Sequence, residues 1–138
     1  MTLPHRLSKE ALGYQIHTNR ELGMMLLGVK PLAVFSDILD RFPDVVTRYL
    51  RMFDRYCEAG VLEKREYVDL DNFRGADGRR VLVVLYSLPN ESWRIDAMIK
   101  LREQLSAWNA EAERMEGSLL GYQEWQNDIW MATRFGHA

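Results

Sequence analysis

Pro31-Leu32-Ala33-Val34-Phe35-Ser36-Asp37-Ile38-Leu39 is the stretch on which the fold of this chain turns. It is apolar and short, so its periodicity does not separate a strand from a buried helix. If it coils, it lies beneath the helix that follows and pushes that helix outward. If it extends, it needs a strand beside it, and Val81 to Leu85 is the run that would serve.

Downstream, Val46, Tyr49, Leu50, Phe53, Tyr56 and Cys57 recur at spacings of three and four, which predicts an amphipathic helix from about Pro43 to Ala59. Proline suits the first helical turn, and Gly60 can take the left-handed conformation that closes it. The opposite face carries Asp44, Thr47, Arg48, Arg51, Asp54, Arg55 and Glu58. The pairs Asp44 with Arg48, Arg51 with Asp54 and Arg55 with Glu58 sit at helix-neighbour spacing, so much of this charge can cancel locally.

Val61 to Leu70 then alternates as a strand with one wet side, and Arg80 to Leu88 follows, apolar on both faces and stopped by Pro89. Between them, Asp71 to Arg79 holds two glycines and an Asp-Gly pair, the chemistry of a turn joining antiparallel strands. Together these predict a β-hairpin.

Upstream, Ser8 can cap a helix with Leu12, Ile16, Leu22, Met25 and Leu26 on one side, closed by Gly28. Behind Pro89, Asn90 opens a long helix through residue 116, with Met98, Leu101, Leu105, Trp108, Ala112 and Met115 at alternating spacings of three and four. Such a seam packs lengthwise on another helix, either in the same chain or across a two-fold dimer. After Gly117 a last amphipathic segment, 118–134, carries Leu119, Leu120, Tyr122, Trp125, Ile129 and Trp130. Leu120-Gly121-Tyr122-Gln123 with Asn127 echoes Leu12-Gly13-Tyr14-Gln15 with Asn19, but the flanks differ and no repeat is inferred.

A chain of 138 residues is expected to form one domain, residues 1–138, with 28–89 as its helix and hairpin core. A net charge of -2 gives no global basic excess, so any binding to nucleic acid has to come from a local patch. Cys57 is the only cysteine and sits on the apolar stripe, which suits a reducing compartment. Neither a signal-type apolar run nor a stretch of about 20 apolar residues is present, so a cytoplasmic location without membrane contact is expected.

Catalytic and metal signatures are absent from the sequence, and neither a catalytic residue nor a cofactor is expected. His5 and His137 are terminal, which leaves His17, with Tyr14, Asn19 and Glu21 near it, as the one candidate base. Glu124 and Asp128, four apart, would make a metal site only if they met His17. Tyr122, Trp125 and Trp130, interleaved with Gln123, Gln126 and Asn127, are a candidate recognition surface, although an aromatic stripe at helical spacing usually packs inward.

Leu26-Leu27-Gly28-Val29-Lys30-Pro31-Leu32, Glu58 to Tyr67 and Gly78 to Leu88 together resemble a winged-helix regulator of the PadR-like or MarR-like type. The first looks like a join between helices, the second like a recognition helix running into a wing, and the third like the returning strand. The resemblance implies an α+β, winged-helix-like domain with one antiparallel hairpin and a long C-terminal helix. It also implies a dimeric, non-enzymatic transcriptional regulator binding double-stranded DNA, with an unspecified small-molecule effector. Thr47, Arg48 and Arg51 would then face the major groove, and Arg55, Lys64, Arg74, Arg79 and Arg80 the phosphates. Met98, Leu101, Leu105, Trp108, Ala112 and Met115 would form the dimer seam. Asp44, Glu66, Asp69, Asp71 and Asp77 oppose phosphate binding.

The alternative takes Leu32 to Ser36 and Ser118 to Gln123 as strands, giving a ferredoxin-like β-α-β-β-α-β order with extra terminal helices. Val81 to Leu85 then becomes a central strand, and the chain a protein-interaction or small-ligand-binding module.

Overall fold

The run after Gly28 is extended. In the computed structural model, which describes residues 17–70, 80–104 and 109–134, it forms β1 (Leu32–Ile38), paired antiparallel with β3 (Arg80–Ser87) from Leu32 opposite Ser87 to Ile38 opposite Val81. Backbone bonds from Leu88 to the Pro31 carbonyl, 3.1 Å, and from Leu39 to the Arg80 carbonyl, 2.9 Å, close the two ends of the ladder. On the other side β3 pairs with β2 (Glu63–Leu70), so the sheet order is β1-β3-β2 and the expected hairpin forms. Residues 71–79, with Arg74 and Arg79, lie outside the described residues.

β3 is apolar on both faces because both are covered. Val81, Val83 and Leu85 join Leu32 of β1 in a core closed by α3 (Trp93–Gln104), α4 (Ala110–Leu119) and α5 (Glu124–Arg134). Val84 and Tyr86 join Ala33, and lie against Phe53 of α2 (Asp44–Glu58) and against Leu22 and Met25 of α1 (Glu21–Leu26). The chain is an α+β protein in which a three-stranded antiparallel sheet is sandwiched between helices.

Three expectations change here. A helix-turn-helix needs two helices joined by a turn, but among the described residues β1 stands between α1 and α2, and α2 lies over the sheet. Residues 90–116 are not one helix: a 3-10 turn at Pro89–Glu91 leads to α3, and Asn109, whose side chain accepts from the Ala112 backbone N–H at 2.8 Å, starts α4 afresh. Nor is there a strand at Ser118 to Gln123, where α4 ends and Gly121 turns the chain into α5, so the fourth ferredoxin-like strand is missing. Of the first expected helix the described residues contain α1 and the turn before it; residues 1–16 lie outside them. Among the described residues no helix is long and apolar enough to cross a membrane.

Gly121 has φ +99, and a Cβ there would press on the ring of Pro31 and approach the Lys30 backbone. This glycine lets the α4–α5 turn sit on the entrance to β1. Gly121→Ala is therefore expected to destabilise the fold by about 2–4 kcal/mol, from backbone strain plus overpacking. Gly23→Ala, in α1 with no atom within 4 Å of the added Cβ, is expected to stabilise by about 0.5–1 kcal/mol. Urea denaturation of the two variants tests the contrast, and equal midpoints would contradict it.

Candidate functional site

α2 is pinned to the sheet by aromatic packing. The Phe53 and Tyr86 rings stack with centroids 4.6 Å apart, and Phe35 and Tyr49 meet Phe53 edge-on at 5.4 and 5.1 Å. Asp54, the next residue on α2, accepts a hydrogen bond from the Tyr86 hydroxyl at 2.8 Å and an ion pair from Lys64 of β2 at 2.9 Å. Burial, then the Asp54 carboxylate, raises the Tyr86 phenol well above its ordinary range, so it stays a donor. Lys64 loses some basicity to burial, but Asp54 and Glu66 more than restore it.

Beside this anchor runs a groove of about 440 Å³ between α2, the β1–α2 loop and the sheet. Leu39, Phe42, Leu50, Leu82 and Val84 make its apolar part, and Asp40, Thr47, Arg51, Asp54, Lys64 and Glu66 its polar part. The spacing on α2 predicts an Arg51–Asp54 pair, but Asp54 is taken by Tyr86 and Lys64. Among the described residues the Arg51 guanidinium consequently has no ion pair or hydrogen bond, while facing an apolar wall. Asp40, at φ +66 in the turn after β1, borders the same groove.

A second constellation lies where the α1–β1 loop meets the α4–α5 turn. Lys30 is 2% exposed, and its Nζ lies 2.7 Å from the Leu120 carbonyl oxygen and 2.8 Å from Nδ1 of His17. The His17 ring stacks on Tyr122 at 3.7 Å, and its backbone N–H donates to the Tyr122 hydroxyl at 2.9 Å. A cavity of about 30 Å³ beside these groups is also lined by Thr18 and Glu21. Burial lowers the Lys30 amine to about 7, with Glu21 pulling weakly the other way. Burial first and Lys30 second lower the His17 imidazole to about 3, so Nδ1 is the acceptor and the ring is neutral.

Of the expected DNA-contacting residues, Thr47, Arg51 and Lys64 come together in the groove. Arg48 lines a separate, mainly apolar hollow with Val45, Tyr49 and Met52, and Arg55 and Arg80 are exposed elsewhere. In the expected dimer seam, Met98, Leu101 and Ala112 are buried in the chain's own core and Met115 is exposed; Leu105 and Trp108 lie outside the described residues. Of the aromatic surface, Tyr122 and Trp130 are buried, Trp130 donating to Glu113 at 3.0 Å, and Trp125 alone is at the surface. Glu124 and Asp128 do not turn to His17: both pair with Arg114, at 3.1 and 2.8 Å. Among the described residues there is no grouping of three metal-ligating side chains. Burial, then Asp54, raises the Cys57 thiol, which keeps it unreactive.

Lys30 was not singled out by periodicity, yet a signal exists. It is the only charged residue between Glu21 and Asp37, set in an apolar run just before a proline. Comparison with protein-family models, with curated proteins and with solved structures gives no match to this chain.

Two measurements check this geometry. The folded Lys30 amine sits below its ordinary value of 10.5, so from about pH 7 upward the unfolded chain holds a proton there that the folded chain lacks. Stability should thus rise with pH between 7 and 9, and Lys30→Met should flatten that rise. Above this window the raised phenols of Tyr49 and Tyr86 reverse the slope, because the unfolded chain ionises them first. A wild-type denaturation midpoint that is level or falling from pH 7 to 9 would refute the assignment. Separately, Trp130→Ala should cost about 3–5 kcal/mol as a core truncation, and Trp125→Ala, at 49% exposure, less than about 1 kcal/mol.

Proposed function

We propose that this protein is a small-ligand-binding module whose ligand is a carboxylate with an apolar body, held in the groove between α2 and the sheet. The observation that carries this reading is Arg51, a guanidinium without a partner among the described residues, set against Leu39, Phe42, Leu50, Leu82 and Val84. Its planar fork suits a carboxylate. The volume of about 440 Å³ lies within the roughly 300–1,000 Å³ common for such sites. Lys64 contributes less, because Asp54 and Glu66 already neutralise it at 2.9 and 3.6 Å.

Duplex DNA is the rival occupant of the same arginine. In its favour, Arg48, Arg51 and Arg55 are all exposed on α2. Against it, Asp54 and Glu66 stand beside Lys64, and each acidic neighbour lowers an affinity that depends on neutralising phosphates.

Titration of the full chain with a panel of alkanoates and aromatic carboxylates, followed by methyl NMR, tests the reading. The expected result is saturable shifts at Leu50, Leu82 and Val84, weakened about tenfold or more by Arg51→Met. That is the scale of losing a hydrogen bond to a charged group, about 1.5–3 kcal/mol. Lack of saturation by any carboxylate, or equal affinity in Arg51→Met, overturns it. Duplex binding that falls steeply with salt while carboxylates leave the methyls unmoved would replace it with the DNA reading.

A further inference from the structure

Lys30 stands apart from the groove, and among the described residues no carboxylate lies within ion-pair distance of its amine, the Glu21 charge acting only from the cavity wall. Its two polar neighbours within hydrogen-bond distance are a carbonyl oxygen and an imidazole nitrogen, both acceptors. An ammonium ion buried so completely is disfavoured, and burial lowers the amine to about 7. With its two N–H bonds directed at Leu120 O and His17 Nδ1 and the third tetrahedral position filled by Cε, the lone pair occupies the fourth. The cavity beside it, about 30 Å³, admits only a small guest, a carbonyl group with one or two carbons. Glu21, on the cavity wall, disfavours an anionic guest and favours a cationic adduct.

We propose that Lys30 is an imine-forming amine, positioned by His17 and the Leu120 carbonyl, that captures uncharged short-chain aldehydes in this cavity. The nitrogen lone pair attacks the aldehyde carbon, a C–N bond forms, and the carbonyl π electrons move to oxygen. A proton passes from the new ammonium centre to that oxygen. The nitrogen lone pair then forms C=N as the C–O bond breaks, and the oxygen leaves as water with the second amine proton. The products are the imine and one water, and no oxidant or reductant is consumed. Once protonated, the imine keeps one N–H for the acceptors that oriented the amine, and Glu21 faces its charge. With its pKa lowered to about 7, about half of the amine is neutral at pH 7, and a neutral, desolvated lysine is nucleophilic.

The test is reductive trapping on the intact, folded chain: acetaldehyde with cyanoborohydride at neutral pH, followed by peptide mass spectrometry. Lys30 should be ethylated about tenfold or more faster than exposed Lys100, by analogy with other activated lysines. Its rate should level off above about pH 7. Benzaldehyde, too large for the cavity, should mark Lys100 and spare Lys30. Marking of Lys30 no faster than Lys100, marking only after urea unfolding, or equal marking by benzaldehyde each overturns the proposal. None of these outcomes depends on Arg51 or the groove, and all are read on the wild-type protein.

Discussion

A central strand that is apolar on both faces has to be covered on both faces, and β3 imposes that requirement on the rest of the chain. Its odd-numbered residues Val81, Val83 and Leu85 need one apolar layer, and Val84 and Tyr86 on the other side need a second. Its two edges need strands, because a buried backbone N–H or carbonyl without a partner is costly. β1 and β2 fill the edges; α2 with α1, and α3 to α5, fill the faces. β1 shares the requirement, sending Leu32 into one core and Ala33 into the other, which is why its run shows no periodicity.

The contact that holds α2 down also shapes the groove. Phe53 on Tyr86 fixes the helix over the sheet, and the Tyr86 hydroxyl brings Asp54 within reach of Lys64. One carboxylate thereby satisfies a buried phenol and a partly buried ammonium, and the neighbouring Arg51 is left unmatched among the described residues. The structural network and the arginine thus border the same groove.

Lys30 shows the same economy at the opposite end of the sheet. It ties the loop entering β1 to the α4–α5 turn through the Leu120 carbonyl, while Gly121 lets that turn lie against Pro31. His17, stacked on Tyr122, completes the junction. The contact that joins two distant parts of the chain is thus made by an amine whose burial alters its chemistry.

Local pattern was enough to place α2 between Pro43 and Ala59, to pair β2 with β3 as a hairpin, and to assign the α+β class, because these depend on spacings within one segment. It marked Trp130 and Tyr122 as aromatic at helical spacing without deciding which ring faces out, and only Trp125 does. It predicted an Arg51–Asp54 pair that Tyr86 and Lys64, distant in sequence, prevent. Whether residues 32–38 coil or extend was settled by β3, whose unpaired edge is worth more than either local preference of so short an apolar run. The site residues follow the same rule: helical period gives the face on which an arginine sits, and only the folded sheet decides whether a carboxylate is left to meet it.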